Sequence, residues 1–200
     1  LLPKYRGAAP IQWALSNGEK ETGMTIFKLV KELDAGPVIA QEKIRILDED
    51  TMTTLLKKLF SLGGEMLLAT LKLIEDGKAQ YLPQDEKQAT FAPIISKEMG
   101  VVIWEKKAEE ISNLIRALNP WPGVATCYRG KKLKMLRSQK VEGSGRPGEI
   151  INILKDQGIV IAAGDGALLI TEVQLEGGKA MSAKDFLAGH DVKIGETLPN

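Results

Sequence analysis

The stretch Met24-Thr25-Ile26-Phe27-Lys28-Leu29-Val30-Lys31-Glu32-Leu33-Asp34-Ala35-Gly36 decides how the first part of the chain folds. It sets a polar turn, which ends in Asp34, Ala35 and Gly36, between two runs of apolar residues. Apolar and β-branched residues on both sides of a short turn are typical of paired antiparallel strands. The pattern predicts one strand over about residues 23–30 and a second over about residues 38–46.

Asp34 in this turn has two interpretations. A carboxylate at the end of a strand, beside a glycine that lets backbone approach closely, is a common site of chemistry. Aspartate and glycine are also ordinary turn residues, and the loop taken alone favours that plainer interpretation.

Composition excludes several classes of protein. The 200 residues carry a net charge of +1, with 44% hydrophobic and 26% charged residues, which is typical of one or two globular domains. One cysteine and one histidine rule out a disulfide framework or a zinc site within the chain, and we expect a cytoplasmic protein without a metal. No apolar run is long enough to span a membrane. The opening residues, 1–7, resemble the middle of a loop, so we expect an earlier part of the domain to be missing.

The remaining pattern predicts an α/β chain of two domains. An acidic entry at residues 48–51 begins a helix over Met52–Glu75, and residues 80–93, with prolines and no period, are interpreted as a linker. An amphipathic helix follows over Ala108–Leu118. Five short strands predict a barrel of OB type, and a capping-box pattern predicts a last short helix over residues 183–188. The strands are expected over residues 124–128, 132–139, 148–154, 159–163 and 167–174. The predicted division is 1–79, a linker at 80–93, and 94–200.

The long helix is expected to bury one apolar face. Its apolar residues recur at steps of mostly three and four. They are Leu55, Leu56, Leu59, Leu62, Met66, Leu67, Leu71 and Ile74.

Positive charge concentrates in the second domain. Residues 124–148 contain seven cations and one anion, a net charge of +6, so the rest of the chain sums to −5. Such segregation is typical of a protein that binds a phosphate-bearing partner, although lysines also protect solvated strand edges. The candidate nucleic-acid-binding residues are Arg129, Lys131, Lys132, Lys134 and Arg137.

Several motifs together resemble those of the formyltransferases that use 10-formyltetrahydrofolate, in particular those that act on methionyl-tRNA. In the first half they are Leu1-Leu2-Pro3-Lys4-Tyr5-Arg6-Gly7-Ala8-Ala9-Pro10-Ile11, Glu21-Thr22-Gly23-Met24-Thr25-Ile26 and Leu33-Asp34-Ala35-Gly36. In the second half they are Ile115-Arg116-Ala117-Leu118-Asn119-Pro120-Trp121-Pro122-Gly123, Gly164-Asp165-Gly166 and Gly177-Gly178-Lys179-Ala180-Met181-Ser182-Ala183.

The resemblance implies the C-terminal portion of a Rossmann-like catalytic domain, followed by an OB-type domain that helps to hold initiator methionyl-tRNA. It implies that Asp34 is catalytic and that Leu1, Leu2 and Pro3 form one edge of the site for 10-formyltetrahydrofolate. The family's catalytic Asn and His precede its Leu-Leu-Pro motif and are absent from this chain. We therefore expect the 200 residues alone to be inactive, and a full-length protein to be monomeric.

Two alternatives remain. Related folate-dependent enzymes formylate an amino-sugar nucleotide, and the basic hairpin favours tRNA over such a small substrate. The chain could also be a non-catalytic RNA-binding module.

Overall fold

A computed structural model describes residues 1–200 and divides the chain into two compact units, Leu1–Ile95 and Ser96–Asn200. None of its helices combines the length and the apolar composition that crossing a membrane requires.

The first unit is built on the predicted strand pair and the long helix. Its elements are α1 (Pro10–Ser16), β1 (Glu21–Phe27), β2 (Val38–Arg45) and α2 (Met52–Glu75). Strands β1 and β2 are antiparallel and form a two-stranded sheet, with a bulge where Phe27 meets Val38. The first strand ends three residues earlier than predicted, because the backbone turns away after Phe27 and leaves Leu29 82% exposed.

Polar contacts fix the start of α2. Thr51 and Thr54 exchange hydrogen bonds in a capping box, with the Thr51 side chain accepting from the Thr54 amide. The buried Asp50 carboxylate accepts from Lys58 Nζ at 2.7 and 2.9 Å and from the Leu47 amide at 2.9 Å. Burial raises the pKa of Asp50, but these hydrogen bonds outweigh it and hold the pKa below its ordinary value.

Helix α2 has two apolar faces, not the single buried face expected. Leu55, Leu59 and Met66 are buried with Thr70 on one side. A second apolar stripe, roughly a third of a turn away, stays exposed. Its members are Phe60, Leu67, Leu68, Leu71 and Ile74, with Phe60 71% and Leu68 73% exposed. Residues of both faces recur at steps of three and four, so the spacing alone predicted a single face.

The segment expected to be a linker, residues 80–93, is part of the first compact unit. Leu82 exchanges two backbone hydrogen bonds of 2.8 Å with Val38. Arg6 donates its amide to the carbonyl of Thr90 at 2.8 Å and accepts from the amide of Ala92 at 2.8 Å. Backbone pairing of this kind needs no apolar period, which is why composition suggested a free spacer.

The second unit contains one helix, a sheet and a closing helix. Its elements are α3 (Ala108–Leu118), β3 (Val124–Tyr128), β4 (Lys131–Val141), β5 (Ile150–Leu154), β6 (Gly158–Ala162), β7 (Ala167–Leu175), β8 (Met181–Ser182) and α4 (Ala183–Gly189). The six strands form one sheet in the order β3-β4-β7-β6-β5, with β8 paired to β7. Every ladder in it is antiparallel.

The structure therefore has an α/β fold, whereas no closed barrel is seen. Strands β3 and β5 lie at the two ends of the sheet and do not pair with each other. Closure depends on the stagger between the first and last strands, which strand count and turn chemistry do not determine. The OB-type barrel stays a prediction.

Strand β4 keeps the predicted alternation only over its first half. Leu133 and Met135 are buried, whereas Lys132 is exposed and Lys134 is half-buried. The pairing with β7 then shifts register between Met135 and Arg137. A bulge of this kind re-aims the side chains that follow it.

Candidate functional site

Asp34 lies half-buried in the connection between β1 and β2, with its carboxylate anchored to the main chain. The Gly7 amide donates to Asp34 Oδ2 at 2.8 Å. Asp34 itself has φ of +49°, in the left-handed region that aspartate tolerates better than most residues. Oδ1 accepts no hydrogen bond from the chain, so one oxygen is held and the other remains open to a donor.

Gly36 allows the turn to close against the strand before it. A Cβ placed on Gly36 would lie 1.7 Å from the carbonyl oxygen of Lys28, a separation that no side chain could accept. The close approach expected of this glycine is therefore confirmed.

Three side chains that the sequence did not single out lie behind the turn. Gln84 Nε2 donates to the carbonyl oxygens of Asp34, at 2.8 Å, and Gly36, at 2.7 Å. Gln84 Oε1 accepts from Arg6 Nη2 at 2.8 Å, and the Arg6 guanidinium binds both carboxylate oxygens of Glu86 at 2.8 Å. Hydrogen bonding to Glu86 raises the pKa of Arg6.

Leu1, Leu2 and Pro3 lie along the hairpin. The Leu2 amide is 3.4 Å from Thr25 Oγ1, and its carbonyl accepts from Gln41 Nε2 at 2.8 Å. The main-chain groups of Leu2 are thus engaged by Thr25 and Gln41, while the side chains of Leu1, Leu2 and Pro3 are half-buried. The loop continues to Gly7, so a single short segment links these residues to the Asp34 carboxylate.

Two of the five candidate nucleic-acid-binding residues are engaged in ion pairs. Arg129 binds Glu196 at 3.1 Å, donates to the carbonyl of Asp191 and lies 5.1 Å from the ring centroid of Tyr128. Its hydrogen bond to Glu196 raises its pKa. Arg137 binds Glu172 at 3.1 Å.

The ion pairs reduce the local positive charge. Four of the seven cations in residues 124–148 have acidic partners outside that window, so counting those acids lowers the net charge from +6 to +2 (6 − 4). The pairs are Arg129–Glu196, Arg137–Glu172, Lys140–Glu109 and Arg146–Glu149. Three of these acids are distant in sequence and meet their cations only in the folded unit, whereas Glu149 lies one residue beyond the window.

The lysines at the start of β4 carry the uncompensated charge. Lys131 and Lys132 are exposed, Lys134 is half-buried, and no ion pair engages any of them. The turn after β7 lies beside them, because the Glu176 amide donates to the carbonyl of Lys132 at 2.8 Å. That turn leads to the exposed Lys179, which the sequence pattern did not select.

Comparison with known proteins then identifies the family. The family described as "Formyl transferase" matches residues 1–71, and "Formyl transferase, C-terminal domain" matches residues 94–191. The chain belongs to the formyltransferase family. The resemblance that the motifs carried is thereby confirmed.

A curated relative agrees with this assignment. "Methionyl-tRNA formyltransferase" of Caldanaerobacter subterraneus subsp. tengcongensis is 46% identical over 200 residues, which are 99% of this chain and 64% of that protein. This formyltransferase chain therefore spans about 64% of the length of that relative.

Solved structures share the fold. HypX from Aquifex aeolicus, in complex with tetrahydrofolic acid, gives a TM-score of 0.71 at 22% identity, over 97% of this chain and 37% of HypX. The N-formyltransferase from Helicobacter canadensis, in complex with folinic acid and dTDP-3-aminofucose, gives 0.68 at 20% identity, over 90% of this chain and 63% of that enzyme.

Among the residues described, no group of three or more His, Cys, Asp or Glu side chains is placed to hold a metal ion. The candidate site in this formyltransferase chain is the anchored Asp34 carboxylate, with a polar cluster behind it that a motif search does not detect.

Proposed function

We propose that this chain contributes to the transfer of a formyl group from 10-formyltetrahydrofolate to the amino group of methionyl initiator tRNA. In this proposal the first unit supplies Asp34, and the second unit is an OB-type domain that holds tRNA. The full-length enzyme acts as a monomer in the cytoplasm. The carrying observation is the Asp34 carboxylate, which has one oxygen anchored by Gly7 and the other open.

The chemistry requires an amine nitrogen to attack the formyl carbon. The bond from that carbon to the folate nitrogen breaks, the folate nitrogen takes a proton, and the amine loses one. An aspartate bound to an imidazole fixes the ring's orientation and favours its protonated form. The open oxygen of Asp34 suits this role, toward the histidine that the family resemblance implies and that these residues do not contain.

The folate donor would meet the first residues of the chain. Leu1 and Leu2 offer apolar side chains while the main chain of Leu2 is already bonded to Thr25 and Gln41. Such an edge fits the flat face of a heteroaromatic ring better than it fits its polar rim.

Binding of tRNA would rest chiefly on Lys131, Lys132 and Lys134, with a smaller part for Arg129 and Arg137. A cation already paired with a carboxylate gains less from a phosphate, because the existing pair must break first. The 46% identity to an enzyme named for methionyl-tRNA favours this acceptor over the amino-sugar nucleotide.

A formyl-transfer assay tests the proposal. The 200-residue chain alone should give no turnover, whereas a full-length formyltransferase that carries these residues should formylate methionyl-tRNA. In that protein Asp34→Asn should lower kcat by roughly 10²–10⁴-fold. Asp48→Asn, at an exposed carboxylate with a weak ion pair of 3.8 Å, is the matched control and should leave kcat unchanged. Full activity of Asp34→Asn, or faster formylation of an amino-sugar nucleotide, would overturn the proposal.

A further inference from the structure

A polar cluster around the buried Arg6, with the half-buried Gln84 and the exposed Glu86, lies behind the Asp34 turn and has no place in the chemistry described so far. Arg6 is only 4% exposed, yet it carries a full charge. Its guanidinium forms a two-point ion pair with Glu86, at 2.8 Å for each bond. Buried charges occur where they are paired and where their remaining donors are satisfied. Two further donors of Arg6 bind Gln84 Oε1, which lies 3.2 Å from Nε and 2.8 Å from Nη2.

This arrangement fixes which way the Gln84 amide faces. A guanidinium has donors and no acceptor, so the oxygen of the amide must face Arg6. The amide nitrogen therefore faces the turn, where it donates to the carbonyls of Asp34 and Gly36. The side chain of Gln84 uses both ends of its amide at once.

The two bonds hold the backbone of the turn at Asp34 and just after it. Asp34 is a non-glycine residue at φ of +49°, a conformation that costs about 1 kcal/mol unless the surroundings fix it. Gln84 binds the carbonyl at that residue and the carbonyl two residues later. The side chain of Asp34 is held by the residue next to Arg6, because the Gly7 amide donates to its carboxylate.

We propose that Gln84, held by Arg6, is a positioning residue that sets the direction of the Asp34 carboxylate. The inference rests on the proposed function, in which the Asp34 carboxylate orients the catalytic histidine. Gln84 does not touch substrate in this account. It acts by fixing the turn, and a turn displaced by about 1 Å is enough to slow a positioned reaction by roughly a hundredfold.

Gln84→Glu separates the hydrogen bonds that Gln84 donates to the turn from the one that it accepts from Arg6. The substituted side chain has the same length and still accepts from Arg6, but its carboxylate cannot donate to the two carbonyls of the turn. Gln84→Met removes the bonds without adding charge and covers the case in which Gln84→Glu fails to fold. Gln88→Glu is the matched control, because Gln88 lies in the same segment and its amide bonds only Asp85 at 2.8 Å.

Two readouts are needed. In the full-length enzyme, Gln84→Glu and Gln84→Met should lower kcat by roughly tenfold or more and leave KM within about threefold, while Gln88→Glu changes neither. In the NMR spectrum of each variant, the Gly7 amide proton should move upfield and exchange faster, since its bond to the Asp34 carboxylate weakens. In Gln88→Glu the Gly7 amide proton should keep the chemical shift and exchange rate that it has in the unchanged chain.

The failures are distinguishable. Full activity of Asp34→Asn overturns the proposed function itself. If Asp34→Asn is inactive while Gln84→Glu and Gln84→Met keep full kcat, the positioning inference alone is overturned. A fall in kcat without any change at the Gly7 amide also overturns it, since Gln84 would then act through some other route.

Discussion

Replacing Gly36 with alanine should disrupt the Asp34 turn more than its small size suggests. The added Cβ would lie 1.7 Å from the carbonyl oxygen of Lys28 and 3.3 Å from a ring carbon of Phe27. Real Cβ atoms essentially never come within 3.0 Å of another atom, so the two backbones must separate by at least 1.3 Å (3.0 − 1.7). Backbone, unlike a long side chain, cannot rotate away from the contact.

The expected magnitude follows from what that separation breaks. The two bonds from Gln84 to the turn contribute about 1 kcal/mol each, and residual strain adds about 1 kcal/mol. We expect the turn to open about 3 kcal/mol more readily, which is roughly a hundredfold loss of protection from hydrogen exchange at the Gly7 amide. In the full-length enzyme, kcat should fall by a similar factor, because the carboxylate moves by more than 1 Å.

Gly64→Ala is the control, since nothing lies within 4 Å of a Cβ at that position in α2. It should raise the free energy of unfolding by about 0.5–1 kcal/mol through helix propensity and leave the Gly7 amide unaffected. Unchanged exchange at Gly7 in the Gly36→Ala variant would refute the reasoning. So would a crystal structure of that variant with the turn in its present place.

Three further predictions concern other parts of the chain. The contacts of Asp50 in the folded state lower the pKa of its carboxylate, so this group should stabilise the first unit above about pH 4. In an acid titration monitored by circular dichroism, that stabilisation should be lost as the pH falls through the lowered pKa. Changing Lys132 and Lys134 together to alanine should reduce the slope of log K against log salt concentration for tRNA binding by about 1.8 in magnitude. Arg137→Ala should change that slope less, because Arg137 is already paired with Glu172. Equal changes of the slope per residue would contradict the preference for the lysines over the arginines. The isolated chain should self-associate through the exposed stripe of α2, and Leu68→Ser should lower its mass in light scattering toward the monomer; a monomeric unchanged chain would contradict this.

Local signals determined the elements well. The bounds of α2 and α3 were predicted to the residue, because acidic or polar entries, glycine and proline stops, and apolar periods agree at both ends. The strand β3 was likewise predicted over its observed range. These features depend on residues within a few positions of one another, and so the local sequence is enough to predict them.

Features that join distant parts of the chain were not predicted. The apolar residues of α2 gave one expected face, since spacing alone cannot tell which residues meet the sheet and which remain exposed. The segment over residues 80–93 looked like a spacer, because its backbone pairing with Val38 and Arg6 leaves no mark on its composition. Closure of the sheet is of the same kind, since it depends on a register between strands far apart in sequence.

The charge distribution shows why a count along the sequence overstates a binding surface. A strand that carries alternating cations pairs with strands that carry acids, so that Arg137 meets Glu172 across the sheet. Such cross-strand pairs are ordinary contributors to sheet stability. Lys134 faces the neutral Ala125 and Gln174 across its two ladders. Lys132 faces Cys127 on one side, and on the other side the Glu176 carboxylate accepts from its main-chain amide and leaves its ammonium group without an ion pair. We therefore propose these lysines for the binding of phosphate in preference to the arginines.

The Asp34 turn combines both kinds of information. Asp34 and Gly36 belong to one short motif. That motif alone predicted a turn with a carboxylate and with a glycine that backbone approaches closely. Gln84 stands 50 residues after Asp34 and reaches it only because residues 80–93 fold back on the first unit. Because the motif itself does not contain the group that fixes its backbone, a chain could keep the Leu-Asp-Ala-Gly motif and lose the direction of the carboxylate through a change at Gln84 or Arg6.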